Sequence, residues 1–251
     1  MGTKSDEYPT QSELEIIHNF NALVAWLHSR RWKNIIRVFD ELTRTVQGRP
    51  IKVLDVGCAH AQLFDVLNGG FHIDYTGIEL RKDLAKIAKE RYERYPNFHI
   101  FVGDATNREL LEKMREFDVV VAVETLEHIP ERDVVRLVEH ISKIGPRFFV
   151  CSVPVEIGPA IWLKNVGSLL VGYPRHKEYT WLETFWAGLY RLDKLPAHTT
   201  DHKGFDWRWL AQTIRHNMKI RKFKTDPFNL LPAALSTSVF IVAEPKADRL
   251  G

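Results

Sequence analysis

The stretch "VLDVGCAHAQLF", residues 53–64, decides the fold. Val53 to Val56 continue an apolar run that begins at Ile51, short and rich in β-branched residues, as in a buried strand. Gly57 ends the run, and small residues separate it from "AQLFDVL", whose apolar positions recur at helical spacing. A strand, a tight turn and a helix in this order form the unit at whose turn a nucleotide-type ligand sits. Such turns are usually glycine-rich. Here Gly57 stands alone, with Ala59 and Ala61 in the places where two further glycines are expected.

The same rhythm continues outward. After the strand at 51–56 come "YTGIEL" (75–80), "FHIFVGDA" (98–105), "FDVVVAVE" (117–124) and "RFFVCSVP" (147–154). Helical patterns fall between them over 60–68, 82–95 and 107–115, and a fourth runs to about residue 143 with Pro130 just inside its start. Short β-branched runs alternating with helices predict parallel strands covered on both faces. The rhythm stops at residue 155, and the next 46 residues, 155–200, carry Trp162, Trp181 and Trp186. A helical pattern resumes at "FDWRWLAQTIRHN", followed by "KIRKFK" and "STSVFIVAE". These two strands lie too close in sequence for a parallel crossover, which needs roughly a dozen residues or more, so they are predicted to form an antiparallel hairpin at the sheet edge. Upstream, residues 12–46 have helical periodicity at Leu14, Ile17, Phe20, Leu23, Val24 and Leu27, then at Ile35, Val38, Phe39 and Leu42. The predicted class is α/β: a doubly wound, seven-stranded, mostly parallel sheet with a C-terminal antiparallel hairpin strand. Its parts are N-terminal helices over 1–48, a sheet domain over 49–244 with a helical insertion at 155–200, and a tail over 245–251.

With 251 residues, 45% of them hydrophobic and 27% charged, the chain can build a full core. A net charge of +3 does not by itself argue for nucleic acid. Cys58 and Cys151 both lie in apolar strand contexts and read as reduced thiols. "MGTKSDEYPT" has no apolar segment of the kind a signal peptide needs. No run reaches the roughly 18 apolar residues of a membrane span. A cytoplasmic location is expected.

In a doubly wound sheet, ligands bind at the carboxyl ends of the strands. Four of those ends carry polar groups here: Asp55 with Gly57, Glu79, Asp104 and Glu124. A carboxylate at Glu79 can accept both hydroxyls of a ribose, and Asp104 can take the exocyclic amine of a base. The middle glycine of a dinucleotide loop lets a pyrophosphate approach the backbone, so an alanine there argues against a dinucleotide. S-adenosylmethionine has no pyrophosphate.

"VLDVGCAHA", "YTGIEL", "VGDATN" and "FDVVVAVETLEHIP", in this order, resemble the class I S-adenosylmethionine-dependent methyltransferases. The likeness covers about 50–155 and 200–244, and the departures are Ala59 and Ala61, where that family usually has glycine. The resemblance implies a Rossmann-like methyltransferase fold. It implies S-adenosylmethionine as cofactor, held by Asp55, Gly57, Cys58, Ala59, Glu79, Leu80, Asp104, Ala105 and Glu124.

"ETLEH" raises a second chemistry. Glu124, Glu127 and His128 bring two carboxylates and an imidazole to the end of the fourth strand, a set able to hold a divalent metal such as Mg, Mn or Zn. E-x-x-E-H followed by a distant histidine resembles two groups, the ubiquinone-biosynthesis O-methyltransferases and the RNA 3′-terminal 2′-O-methyltransferases. Carried over, the metal ligands are Glu124, Glu127, His128 and His202, the two histidines being 74 positions apart here. A metal would lower the pKa of an acceptor hydroxyl and orient it. Without one, His202 or His128 can act as general base. The alternative is that "LEH" caps the helix or lines the pocket, as in methyltransferases without a metal.

The insertion contains "AIWLKNVGSLL" and "TWLETFWAGLY", joined by "VGYPRHKEY". It reads either as a lid over the acceptor or as a packing or dimerisation element. As a lid it suggests an aromatic, isoprenoid or lipid-like acceptor, with Arg175, His176 and Lys177 able to meet an acidic headgroup or a membrane surface. The leading expectation is O-methylation of a small or lipid-like hydroxylated molecule by a monomer or homodimer, with no nucleic-acid partner. Terminal RNA ribose methylation and a non-catalytic partner protein that retains the fold are the alternatives.

Overall fold

The computed structural model describes residues 22–113, 116–170, 179–198, 202–226 and 232–246. One seven-stranded sheet runs β1 Ile51–Val56, β2 Ile73–Glu79, β3 Phe98–Val102, β4 Val119–Val123, β5 Phe148–Pro154, β6 Met218–Asp226 and β7 Ser238–Pro245, in the order β3-β2-β1-β4-β5-β7-β6. The first five strands pair parallel, and β7 pairs antiparallel with both β5 and β6. The expected mixed sheet with its terminal antiparallel hairpin is therefore what forms. Because β7 reverses direction, β6 again points the same way as β5, and Asp226 at its end joins the carboxyl edge of the parallel strands.

The helices are α1 Ala22–Thr43, α2 Gln62–Asn68, α3 Lys82–Tyr92, α4 Arg108–Lys113, α5 Glu131–Ile144, α6 Ala160–Leu170, α7 Trp181–Gly188 and α8 Trp207–Asn217. On one face of the sheet, Ile35, Val38, Phe39 and Leu42 of α1 join Leu63, Phe64 and Leu67 of α2 and Tyr92 of α3. On the other, Val134, Leu137, Val138 and Ile141 of α5 pack with Leu210, Ala211 and Ile214 of α8. Both faces are covered, which is why β4 and β5 read as unbroken apolar runs rather than alternating ones. The expected apolar positions at Leu14, Ile17 and Phe20 lie outside the described residues.

Local signals set the ends of the elements. Pro130, expected just inside α5, is instead its N-cap with an extended ψ of 138°, and Glu131 and Asp133 occupy the first turn. Carboxylates there face the positive end of the helix dipole. Gly145 closes the same helix in the left-handed region, φ 71°, where an L side chain would be strained. In the insertion, Thr180 and Glu183 form a reciprocal capping box on α7. The hairpin of α6 and α7 closes where the Trp162 indole donates to the Thr184 carbonyl at 3.1 Å. A Cβ on Gly188 would overlap that indole.

Candidate functional site

The switch in strand order falls between β1 and β4, and the loops leaving their carboxyl ends part there. Gly57 opens the first loop with φ 68°, and its N–H donates to Ile78 O at 2.9 Å. Thr125, in the loop after β4, sits so close that any Cβ on Gly57 would overlap its methyl group. Two separate constraints therefore require glycine at this position, left-handed backbone and close approach. Ala59 and Ala61 also lie in the left-handed region, at φ 47° and 60°. The missing glycines are thus absent in side chain but present in backbone shape, at a cost of about 1–2 kcal/mol each for a non-glycine residue.

That shape aims the Ala59 N–H at Glu79 Oε2, 2.8 Å away, while Arg81 N–H donates to Oε1 of the same carboxylate at 2.8 Å. Each Glu79 oxygen keeps a lone pair for a further donor. Leu80, next in sequence, is 67% exposed. Asp104 is exposed, its Oδ1 accepts from the backbone and hydroxyl of Thr106 in a local turn, and Ala105 is buried. Cys58 is buried with Sγ packed against Gly77, so only its backbone faces the loop. Its thiol is held well above the usual range by burial and then by the nearby carboxylates of Asp55 and Glu79.

Asp55 is buried and accepts from the Tyr75 hydroxyl at 2.7 Å. Burial pushes its carboxyl up to about 7, the Tyr75 hydroxyl opposes the rise, and Glu79 adds to it. The sequence reading missed Tyr75, whose place as the one aromatic residue of its strand, two residues before Gly77, was the available signal.

At the end of β4, Glu124 adopts φ 50°, a sparsely populated conformation for this residue type. Its Oε1 accepts from Ser152 Oγ at 3.0 Å and pairs with Arg31 at 3.2 Å. Arg31 comes from α1, so the N-terminal helix reaches the carboxyl edge of the sheet. Asn34 of the same helix donates to Asp226 Oδ1 at 3.4 Å and accepts from Lys224 Nζ at 3.0 Å. Burial raises the Asp226 carboxyl above its ordinary range. Arg31, Ser152 and Asp226 are absent from the sequence reading. In sequence, Arg31 is one polar residue on a long helix, and the ion pair spans 93 positions.

Three of the four expected metal ligands converge. One ligand atom each from Glu127, His128 and His202 lies within 4.8 Å of the others. Glu127 Oε1 is 3.8 Å from His202 Nδ1, and the two imidazole centroids are 4.6 Å apart. Glu127 is fully buried, yet neither carboxylate oxygen has a hydrogen-bond partner, and the buried His202 Nδ1 likewise has none. Burial drives the Glu127 carboxyl well above its ordinary range, Glu124 and Glu156 add to the rise, and Arg31 opposes it. Glu124, expected as a fourth ligand, lies outside this cluster of three, and its Oε1 meets Ser152 and Arg31. Arg175, His176 and Lys177 lie outside the described residues.

Residues 53–144 match the family described as "Methyltransferase domain". The chain resembles that family from β1 to the end of α5. It is 30% identical over 131 residues to a ubiquinone biosynthesis O-methyltransferase of Xylella fastidiosa, a match covering 51% of this chain and 52% of that protein. The chain thus spans about half the length of the curated relatives it matches. The chain shares its fold with two solved structures. Magnesium protoporphyrin IX methyltransferase from Synechocystis PCC 6803, solved with bound S-adenosylhomocysteine, superposes with a TM-score of 0.58 at 12% identity, covering 94% of this chain and 95% of the other. The methyltransferase domain of a bacterial Hen1 protein superposes with a TM-score of 0.60 at 15% identity, covering 88% and 100%. Among the described residues, no helix is long and apolar enough to cross a membrane.

Proposed function

We propose that this chain transfers a methyl group from S-adenosylmethionine to a hydroxyl of a small or lipid-like acceptor, assisted by a divalent cation held by Glu127, His128 and His202. The observation that carries the reading is the Glu127 carboxylate. It is wholly buried, has no hydrogen-bond partner, and faces two imidazoles beside the carboxyl end of β4. A buried carboxylate without a donor is costly, and a carboxylate with two imidazoles is a donor set that suits a divalent cation.

The residues of the first loop fit the cofactor. Glu79, oriented by the amides of Ala59 and Arg81, has lone pairs left for ribose hydroxyls, and the exposed Leu80 offers an apolar surface for a base. The exposed Asp104 carboxylate can accept from an exocyclic amine. When bound, S-adenosylmethionine supplies an electrophilic methyl on a sulfonium. The protein must then present a hydroxyl oxygen in line with that methyl, exclude water and take the hydroxyl proton. A cation at Glu127, His128 and His202 would act on the acceptor as a Lewis acid, lowering the pKa of its hydroxyl. In its absence, His202 or His128 would act as the general base. The aromatic and aliphatic surface of the insertion, with Leu163, Trp181, Leu182 and Phe185 exposed, supports an apolar acceptor.

Calorimetry with S-adenosylhomocysteine tests the cofactor, with tight binding expected. Methyl transfer to catechol-type and isoprenoid phenol acceptors, measured before and after thorough chelation and after Mn2+ is restored, tests the rest. Activity that survives chelation unchanged removes the metal. No turnover on any hydroxylated acceptor removes O-methylation.

A further inference from the structure

We infer that the helical insertion is a working part of the cation site, because Tyr179 at the foot of α7 positions His202. This rests on the reading of Glu127, His128 and His202 as that site. Residues 202–206 have no helical or strand structure, so the place of the His202 ring depends on what holds its backbone. Phe205 N–H donates to His202 O at 3.3 Å, and Gly204 has φ 74°, the pattern of a turn that requires a left-handed residue at its third position. The insertion pins this turn. Gly204 N–H donates to the Tyr179 hydroxyl at 2.8 Å, and that hydroxyl lies 3.5 Å from the carbonyls of both Glu156 and His202. Lys203 Nζ pairs with Glu183 Oε1 at 2.8 Å and stands 5.6 Å from the centre of the Tyr179 ring. Glu183 is itself fixed by the capping box at the start of α7.

The hydroxyl is separable from the ring. The Tyr179 ring is buried with Ile161 and Ala187 in the insertion's own small core, and phenylalanine would keep that packing. The hydroxyl is the part that accepts from the turn's backbone. Without it, Gly204 N–H loses its partner, and the turn is free to shift His202 away from Glu127, which it faces at 3.8 Å. The groups that orient metal ligands commonly change metal affinity by about 10–100-fold when removed. Tyr179 is thus a positioning residue, acting on the cation through the backbone next to His202.

The test is Mn2+ titration of the full chain, followed by electron paramagnetic resonance, for the wild type and for Tyr179→Phe, Glu183→Gln and Glu127→Gln. S-adenosylhomocysteine affinity is measured on the same samples. We expect Mn2+ binding by the wild type, its loss in Glu127→Gln, and a roughly tenfold weakening in Tyr179→Phe. In Tyr179→Phe, S-adenosylhomocysteine affinity should stay unchanged, because Glu79 and Asp104, the carboxylates read as holding it, are fixed by the amides of Ala59, Arg81 and Thr106. Wild-type Mn2+ affinity in Tyr179→Phe overturns the positioning role and leaves the cation site standing. A wild type that binds no Mn2+ overturns both. Should Tyr179→Phe fail to fold, Glu183→Gln decides: weaker Mn2+ binding supports the tie from α7, and unchanged binding overturns it.

Discussion

Gly57, Ala59 and Ala61 share one backbone conformation and differ in what that conformation costs. Gly57→Ala meets both the positive φ and the Thr125 methyl. We expect a loss of about 2–4 kcal/mol in chemical denaturation, together with loss of S-adenosylhomocysteine binding. Ala59 is partly exposed, so Ala59→Gly relieves strain without emptying the core. It should raise stability by up to about 1 kcal/mol, the greater entropy of glycine in the unfolded chain offsetting part of the gain. Ala61 is fully buried, and Ala61→Gly should come out near neutral, because lost packing cancels the relief. Asp55 gives a pH-dependent counterpart. Its folded value of about 7 lies above the ordinary 3.8, so the neutral form favours the fold. The stability this group contributes is complete below about pH 4 and is lost as pH rises through about 7. Asn keeps an acceptor for the Tyr75 hydroxyl and cannot ionise. In melting curves, Asp55→Asn should therefore gain on the wild type between about pH 4 and 7, and a gap constant across that range would refute the assignment.

Among the elements, α1 shows how a helix far from the sequence motifs enters the site. Its apolar stripe at Ile35, Val38, Phe39 and Leu42 is legible as a buried face, and those residues are buried. What the periodicity could not show is that one turn earlier the same helix carries Arg31 to Glu124. Both side chains are partly shielded from solvent, so the pair should couple measurably. A double-mutant cycle with Arg31→Met and Glu124→Gln should give about 1 kcal/mol of interaction in thermal unfolding, and a value near zero would mean α1 is not tied to β4. The insertion follows the same division. "AIWLKNVGSLL" falls on α6, but only contacts across the hairpin show that Trp162 is committed to α7 through Gly188 and the Thr184 carbonyl.

For the whole molecule, cofactor binding should appear as stability, because a ligand that binds only the folded chain stabilises it by mass action. At a concentration about 100 times its Kd, S-adenosylhomocysteine should add about 2.7 kcal/mol, or roughly 5–10 °C in melting temperature for a chain of this size. No shift at that excess would exclude the site between β1 and β4. The sequence alone determined the mostly parallel sheet, its antiparallel terminal hairpin and the tight strand-to-helix turn at Gly57. Each of these follows from short-range quantities: hydrophobic period, the length of a connection and the residue type at a turn. It also named Glu127, His128 and His202, because a resemblance marked them. Only the tertiary structure decided that Glu124 pairs with Arg31 and Ser152 rather than joining those three, and that Tyr179 holds the turn beside His202. Those outcomes depend on which side chains, distant in sequence, reach one carboxylate or one N–H first when the layers pack, and no local pattern encodes that competition.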